Sequence, residues 1–389
     1  MGNEVKVTFL TWEYPPHVYG GAGVHVQSLV HNLKNQIEIE IRTVLPEGSE
    51  ATEVEEVGGI KILRYPQWEL LKSDAQFSTV LSTFSTDLAM VKNPIDGQII
   101  HAHTWYTGLA GYYAKQLYDQ RLIMTVHSLE PKRPWKAQTL GNSYRLSAWA
   151  EKTGLEACDR IIAVSRADEK DIIKCFSVSP DKIKVIPNGV DAEAFHHHED
   201  HSILKKYGVK KPYIFFLGRL SRQKGIFDLV SAVPKLPRET EVVLVTGAPD
   251  EAGLTEELHK KLEDSKKIIW INKMLPMNEV IPLLSGASVF VAPSIYEPFG
   301  IMNLEAMACA RPVVSTRVGG IVDVVVDGQT GLLVSPGRPE ELADAVNRIL
   351  SNPTLGERMG KAGRTRIETL FTWKKVAKDT LSLYQEIVR

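Results

Sequence analysis

The sequence predicts an α/β protein of two Rossmann-like, doubly wound domains facing a cleft. Three observations predict it. The 389 residues suit two domains at roughly 100–200 residues each. Short β-branched runs alternate with amphipathic stretches, as βα units on a parallel sheet require. That alternation lapses in a polar segment and then restarts. Taken in order, the first strands are expected at Lys6–Trp12, Ile37–Leu45, Gln98–His103, Leu122–His127, Arg160–Val164 and Lys184–Ile186. The polar segment between Ala192 and Val209 carries His196, His197, His198 and His201 and reads as a linker, at most a loose metal-binding surface. Strands resume at Tyr213–Leu217, Glu241–Thr246, Lys267–Asn272, Val289–Pro293 and Pro312–Ser315. A last helix from Trp373 to Arg389, with an apolar stripe of Val376, Leu381, Leu383, Tyr384 and Ile387, follows the completed second sheet. The expected domains are therefore 1–195 and 196–372, with 373–389 crossing back to the first.

Composition removes several function classes. Lys and Arg number 46 against 47 Asp and Glu, so no global charge attracts nucleic acid or an anionic membrane. The three cysteines, Cys158, Cys175 and Cys309, form no C-x-x-C pair, which argues against a disulfide scaffold or thiolate zinc site. Met1–Lys6 has no signal-peptide character, and no apolar stretch reaches the ~20 residues of a membrane span. A cytoplasmic protein without a stable membrane anchor is expected.

In doubly wound sheets ligands sit beyond the carboxyl ends of the strands, so candidate residues are sought there. After the first strand come Glu13, Tyr14, Gly20, Gly21 and Gly23, then a helical pattern over Val24–Leu33. The glycines permit ligand oxygens to reach backbone N–H groups. A merely tight connection fits equally, for the segment is neither a G-x-G-x-x-G fingerprint nor a P-loop. Glu13 and Tyr14 either touch an acceptor or are buried. After Leu217, Arg219 and Lys224 flank a turn ending at Gly225 and suit a diphosphate, Arg as a planar fork and Lys as a point charge.

The sharpest segment runs from Pro293 to Ala308. A buried strand ends at the carboxylate Glu297, a Pro-x-Gly turn starts a helix with free amides at Gly300 and Ile301, and Glu305 follows one turn in, a Glu-x7-Glu spacing. A hydrolase pair would need the two carboxylates to flank one bond; Glu305 is better placed to accept from ribose hydroxyls. His101 and His103 are expected on opposite faces of their strand, at least one of them structural. Lys132, Arg133, Lys136 and Arg145, interleaved with Trp135 and Tyr144, read either as a solvated face or, at Lys136 and Arg145, as a phosphate site.

Together the Glu-x7-Glu segment, the Gly218–Gly225 turn, the Ile186–Asp191 run and the Gly20-Gly21 loop resemble retaining glycosyltransferases of the GT-B type across essentially the whole chain. Leu10–Pro16, His101–Tyr106 and Ser128–Lys136 are similar to the short actinobacterial glycogen synthases and maltose-1-phosphate synthases. The resemblance implies that Arg219 and Lys224 bind the donor diphosphate, Glu305 holds its ribose, and Gly300, Ile301 and Gly21 meet its oxygens. It implies that Glu297 and His127 lie against the transferred glucose, that Asn188 belongs to the interdomain segment, and that backbone near Met274 reads the base. ADP-glucose is the implied donor, less so UDP-glucose, with glucose 1-phosphate or an α-1,4-glucan end as acceptor. No cofactor or metal is implied, consistent with the absence of an Asp-x-Asp pair. Val18 and Thr104 stand where the longer glycogen synthases carry Lys and Asp, so their acceptor site does not transfer directly. Transfer of another sugar, to a sucrose-phosphate or lipid product, is the alternative enzyme; a two-lobed sugar-binding protein is the alternative from another class.

Overall fold

The computed structural model describes residues 5–18, 20–45, 52–68, 77–198, 202–210, 212–263 and 265–389, apart from the side chains of 138 and 139. The first four residues of the Met1–Lys6 stretch and residues 199–201 of the polar segment, His201 included, lie outside it. The chain divides into two compact units, Met1–Asn188 with Trp373–Arg389, and Gly189–Thr372. The break thus falls at Asn188, upstream of residue 195.

The first unit is an eight-stranded sheet. Its strands are β1 (Lys6–Leu10), β2 (Glu38–Val44), β3 (Glu53–Val57), β4 (Ile60–Tyr65), β5 (Ile99–His103), β6 (Arg121–Val126), β7 (Arg160–Ala163) and β8 (Ile183–Val185), in the order β3-β4-β2-β1-β5-β6-β7-β8. Among the described residues, only β3 pairs antiparallel, through the Gly58-Gly59 turn. The remaining strands are parallel, and central ones such as β1, β6 and β7 are buried on both faces and read as largely apolar runs. Strand β5 shows the division: Ile100 and Ala102 join the core on one face, while Ile99 joins Val7, Val26, Leu29, Trp373, Val376 and Tyr384 on the other. That second face is closed by helix Gly21–Leu33 and the terminal helix Trp373–Ile387.

The second unit is a wholly parallel sheet of β9 (Tyr213–Leu220), β10 (Glu241–Pro249), β11 (Ile268–Asn272), β12 (Val289–Ala292), β13 (Val313–Thr316) and β14 (Gly331–Val334), ordered β11-β10-β9-β12-β13-β14. Strands β9 and β12 are adjacent although separated in sequence, which is the strand-order reversal where such sheets open a binding crevice. Both candidate motifs of this unit leave from these two strands.

Candidate active site

In the second unit, two glycines press the motif loops together. Gly225 follows the Arg222–Lys224 turn at φ 67, and a Cβ there would stand 1.8 Å from the Pro293 carbonyl oxygen beyond β12. Gly319, at φ 49, would place a Cβ 2.0 Å from the Glu297 carbonyl oxygen. Only a residue without a side chain fits either approach. The result is a contact of 2.5 Å between Lys224 Nζ and Glu297 Oε2, with both side chains less than one-fifth exposed. The Glu297 backbone is fixed as well, its carbonyl accepting from Gly320 N–H at 3.1 Å.

Three residues on, Gly300 (φ 92) caps helix Ile301–Ala308. The first helical amides lack intrahelical acceptors and carry the positive end of the dipole, so they add to Lys224 as a site for negative charge. Glu305 lies one turn into this helix, where desolvation pushes its carboxyl up to about 8. Arg219 is exposed on β9, and its guanidinium meets Asp250 Oδ1 at 2.6 Å just beyond β10. Met274, past the end of β11, is 69% exposed.

In the first unit, Glu13 organises the loop after β1: its Oε2 accepts from Gly20 N–H at 2.7 Å, and Gly20 and Gly21 are the cap and first residue of helix Gly21–Leu33. Tyr14 is buried in the core beside that helix, which raises its phenol pKa. His127, at the exit of β6, is partly exposed, and its Nε2 lies 3.2 Å from His103 Nδ1. Asn188 is buried, its Oδ1 at 2.6 Å from His25 Nδ1. His101 is engaged by Tyr384 Oη at 2.6 Å and Thr125 Oγ1 at 2.7 Å. Its ring and that of His103 are 4.3 Å apart between centroids. This corrects the expectation of opposite faces, because residues two apart on a strand share a face. Burial holds all four imidazoles neutral, His25 down to about 4 and the others well below the usual histidine range.

The basic loop after His127 surrounds a buried carboxylate. Glu130 is fully buried and pairs with Arg133; Lys136 Nζ lies 3.5 Å from the same oxygen, and Ser147 Oγ donates to Oε2 at 3.1 Å. Glu151 accepts the Glu130 N–H at 2.8 Å, and burial lifts its own carboxyl to about 8. Arg145 is exposed one turn into the following helix, Ser143–Ala157.

Lys224, Glu297, Gly300, Ile301 and Glu305 thus gather around one helix start, and His127 and Asn188 are linked by His103 and His25. Arg219 instead meets Asp250. Sequence reading passed over His25, Glu130 and Asp250. Glu130 stood within the quoted Ser128–Lys136 stretch, whereas His25 was hidden in an apolar helical pattern.

Residues 19–194 match the family described as Glycosyltransferase Family 4, and residues 199–366 that described as Glycosyl transferases group 1. The chain is 39% identical to the alpha-maltose-1-phosphate synthase of Mycolicibacterium smegmatis, over 98% of this chain and all of that one. It is 26% identical to a glycogen synthase of Mycobacterium tuberculosis, over 98% and 94% of the two chains. The fold is similar to that of the Anabaena protein HepE in complex with UDP-glucose, with a TM-score of 0.77, 19% identity and coverage of 97% and 100%. No helix among the described residues is long and apolar enough to cross a membrane.

Proposed function

This chain belongs to the GT-B glycosyltransferases, and from that premise we propose that it is a retaining α-1,4-glucosyltransferase carrying glucose from ADP-glucose to glucose 1-phosphate, giving maltose 1-phosphate. The observation that carries the donor half is the Lys224–Glu297 pair held by Gly225 and Gly319 in front of the Gly300–Ile301 amides. Departure of a nucleoside diphosphate builds negative charge, which a fixed cation and helix amides stabilise without reorganising. In this reading Lys224 passes from Glu297 to the donor phosphates, Arg219 leaves Asp250 to join it, and Glu305 accepts from the ribose. Glu297, freed of its partner, faces positive charge developing on the glucosyl carbon. His127 donates to the sugar as a neutral imidazole. The departing phosphate takes the acceptor's proton on the face it leaves, so configuration is retained and no strong protein base is needed. The positive charge comes from the chain itself, and the reading requires no metal.

The acceptor half rests on Lys136 and Arg145 as ligands of the acceptor phosphate, supported by the full-length likeness to a maltose-1-phosphate synthase. A glucan end is the second reading. It is favoured by the Glu130 carboxylate beside Lys136, which already offsets one of the cations a phosphate would use.

The deciding assay offers ADP-glucose in parallel with glucose 1-phosphate and with glycogen, and separates maltose 1-phosphate from lengthened glucan. Maltose 1-phosphate formation whose KM for glucose 1-phosphate rises in Lys136→Ala/Arg145→Ala supports the first reading. Glucan elongation alone transfers the conclusion to the second, and inactivity with both acceptors refutes the donor–acceptor assignment.

A further inference from the structure

Among the described residues, His25, His103 and His127 are the group whose metal-ligating atoms all lie within 4.8 Å of one another. They come from separate elements: helix Gly21–Leu33, the end of β5 and the exit of β6. A tetrahedral first-row metal with nitrogen ligands at about 2.0–2.1 Å sets those nitrogens roughly 3.3 Å apart. His103 Nδ1 and His127 Nε2 are 3.2 Å apart.

His25 adds the third imidazole in a prepared state. The Asn188 amide oxygen can only accept, so His25 Nδ1 carries the ring hydrogen and Nε2 presents its lone pair. That Nε2 is buried and has no hydrogen-bond partner. An oxygen acceptor behind an imidazole is the outer shell that orients metal-bound histidines. His101 is excluded, since Tyr384 and Thr125 occupy both of its ring nitrogens. Desolvation keeps the three rings unprotonated at neutral pH, as a ligand must be.

We propose that His25, His103 and His127 form a three-imidazole site for a divalent transition metal of the zinc and copper class, with water as the fourth ligand on the partly exposed His127 side. All-nitrogen donors select these ions over magnesium and calcium, which take oxygen. The consequence for activity rests on the role given to His127 above: a metal that holds this ring removes it from the sugar, so occupation inhibits transfer.

The full chain, stripped with EDTA and desalted, is titrated with Co2+ and followed by visible d–d absorption. One saturable equivalent with tetrahedral intensity, displaced by Zn2+, is expected. His25→Gln and His103→Gln weaken it by about 10–100-fold or more, while His196→Ala/His198→Ala in the polar segment leaves it intact. Absence of a saturable band in the wild type, or loss of the band only in the His196/His198 variant, overturns the site. Should His25→Gln fail to fold, X-ray absorption of the zinc-loaded wild type decides, and fewer than three imidazole nitrogens refutes the proposal. Saturable Co2+ binding with transfer unaffected by stoichiometric Zn2+ upholds the site and overturns the placement of His127 against the sugar.

Discussion

Replacing Lys224 by Gln tests the donor half through two readouts that should move apart. The lysine Nζ stands 2.5 Å from Glu297 Oε2, with side-chain exposures of 19% and 14%. This pair is too enclosed to be treated as a surface ion pair worth ~0–1 kcal/mol. Gln keeps most of the volume, removes the charge and leaves the Glu297 carboxylate without its cation. Leaving such a partly buried group unsatisfied costs about 1–3 kcal/mol, so the unfolding midpoint in urea should fall. Glu297→Gln added to Lys224→Gln removes the orphaned charge and should recover much of that stability.

Catalysis should behave in the opposite way. A donor aimed at charge that develops only as the diphosphate departs contributes about 2.7–4 kcal/mol, or ~10²–10³ in kcat. Lys224→Gln should therefore lower kcat for ADP-glucose by that factor with a smaller change in KM, and the double variant should remain inactive. Steady-state kinetics on both variants separates the outcomes. An unchanged kcat with only KM raised would show that Lys224 holds substrate and transition state equally. Recovery of kcat in the double variant would refute the role of the pair altogether.

Three further outcomes are expected. Gly225→Ala forces a side chain to 1.8 Å from the Pro293 oxygen at φ 67; the left-handed backbone alone costs about 1–3 kcal/mol, so urea unfolding should shift and transfer should collapse, whereas wild-type stability would contradict the packing. Glu305, held near 8 when folded, ionises at about 4.5 when unfolded. The folded state therefore binds the extra proton between those values, stability falls as pH rises through them, and ribose binding to the carboxylate makes the KM for ADP-glucose rise as pH drops below 8. Glu305→Gln should flatten both profiles, and persistence of either slope would assign it to another group. Ending the chain at Thr372 strips Trp373, Val376, Leu383 and Tyr384 from the first core; at ~1.5–3 kcal/mol per large side chain this rivals a domain's whole stability of about 5–15 kcal/mol, and a truncated chain that unfolded with wild-type cooperativity would show the helix to be dispensable.

What the sequence disclosed follows the range of the interactions involved. Most of the parallel strands were legible because burial on both faces leaves short, largely apolar runs, as in β6, β7, β9 and β12. The β3–β4 hairpin was not, because Glu53–Val57 is an exposed edge with no apolar periodicity. Its signal lay in the turn, where Gly58 and Gly59 both have positive φ, as two-residue hairpins of type I′ demand. Strand β14 (Gly331–Val334) was also missed, and its four residues do not explain it, because β7, β12 and β13 are equally short and were read from the sequence.

The same rule divides the site. Glu297, Gly300, Ile301 and Glu305 fall within one helix turn and the loop before it, so their spacing announced them. His25 and Asn188 meet across 163 positions, and Arg219 reaches Asp250 across 31, distances at which no local pattern survives. The glycines lie between these cases. Gly225 and Gly319 can be recognised as turn residues, but the reason each must be glycine is a carbonyl oxygen on a different segment, that of Pro293 for one and of Glu297 for the other. The position of the Glu297 carboxylate is therefore set by three separated stretches, Lys224–Gly225, Pro293–Glu297 and Gly319–Gly320. A substitution at Gly319, which belongs to no motif, should disturb transfer as much as one inside the Glu-x7-Glu segment.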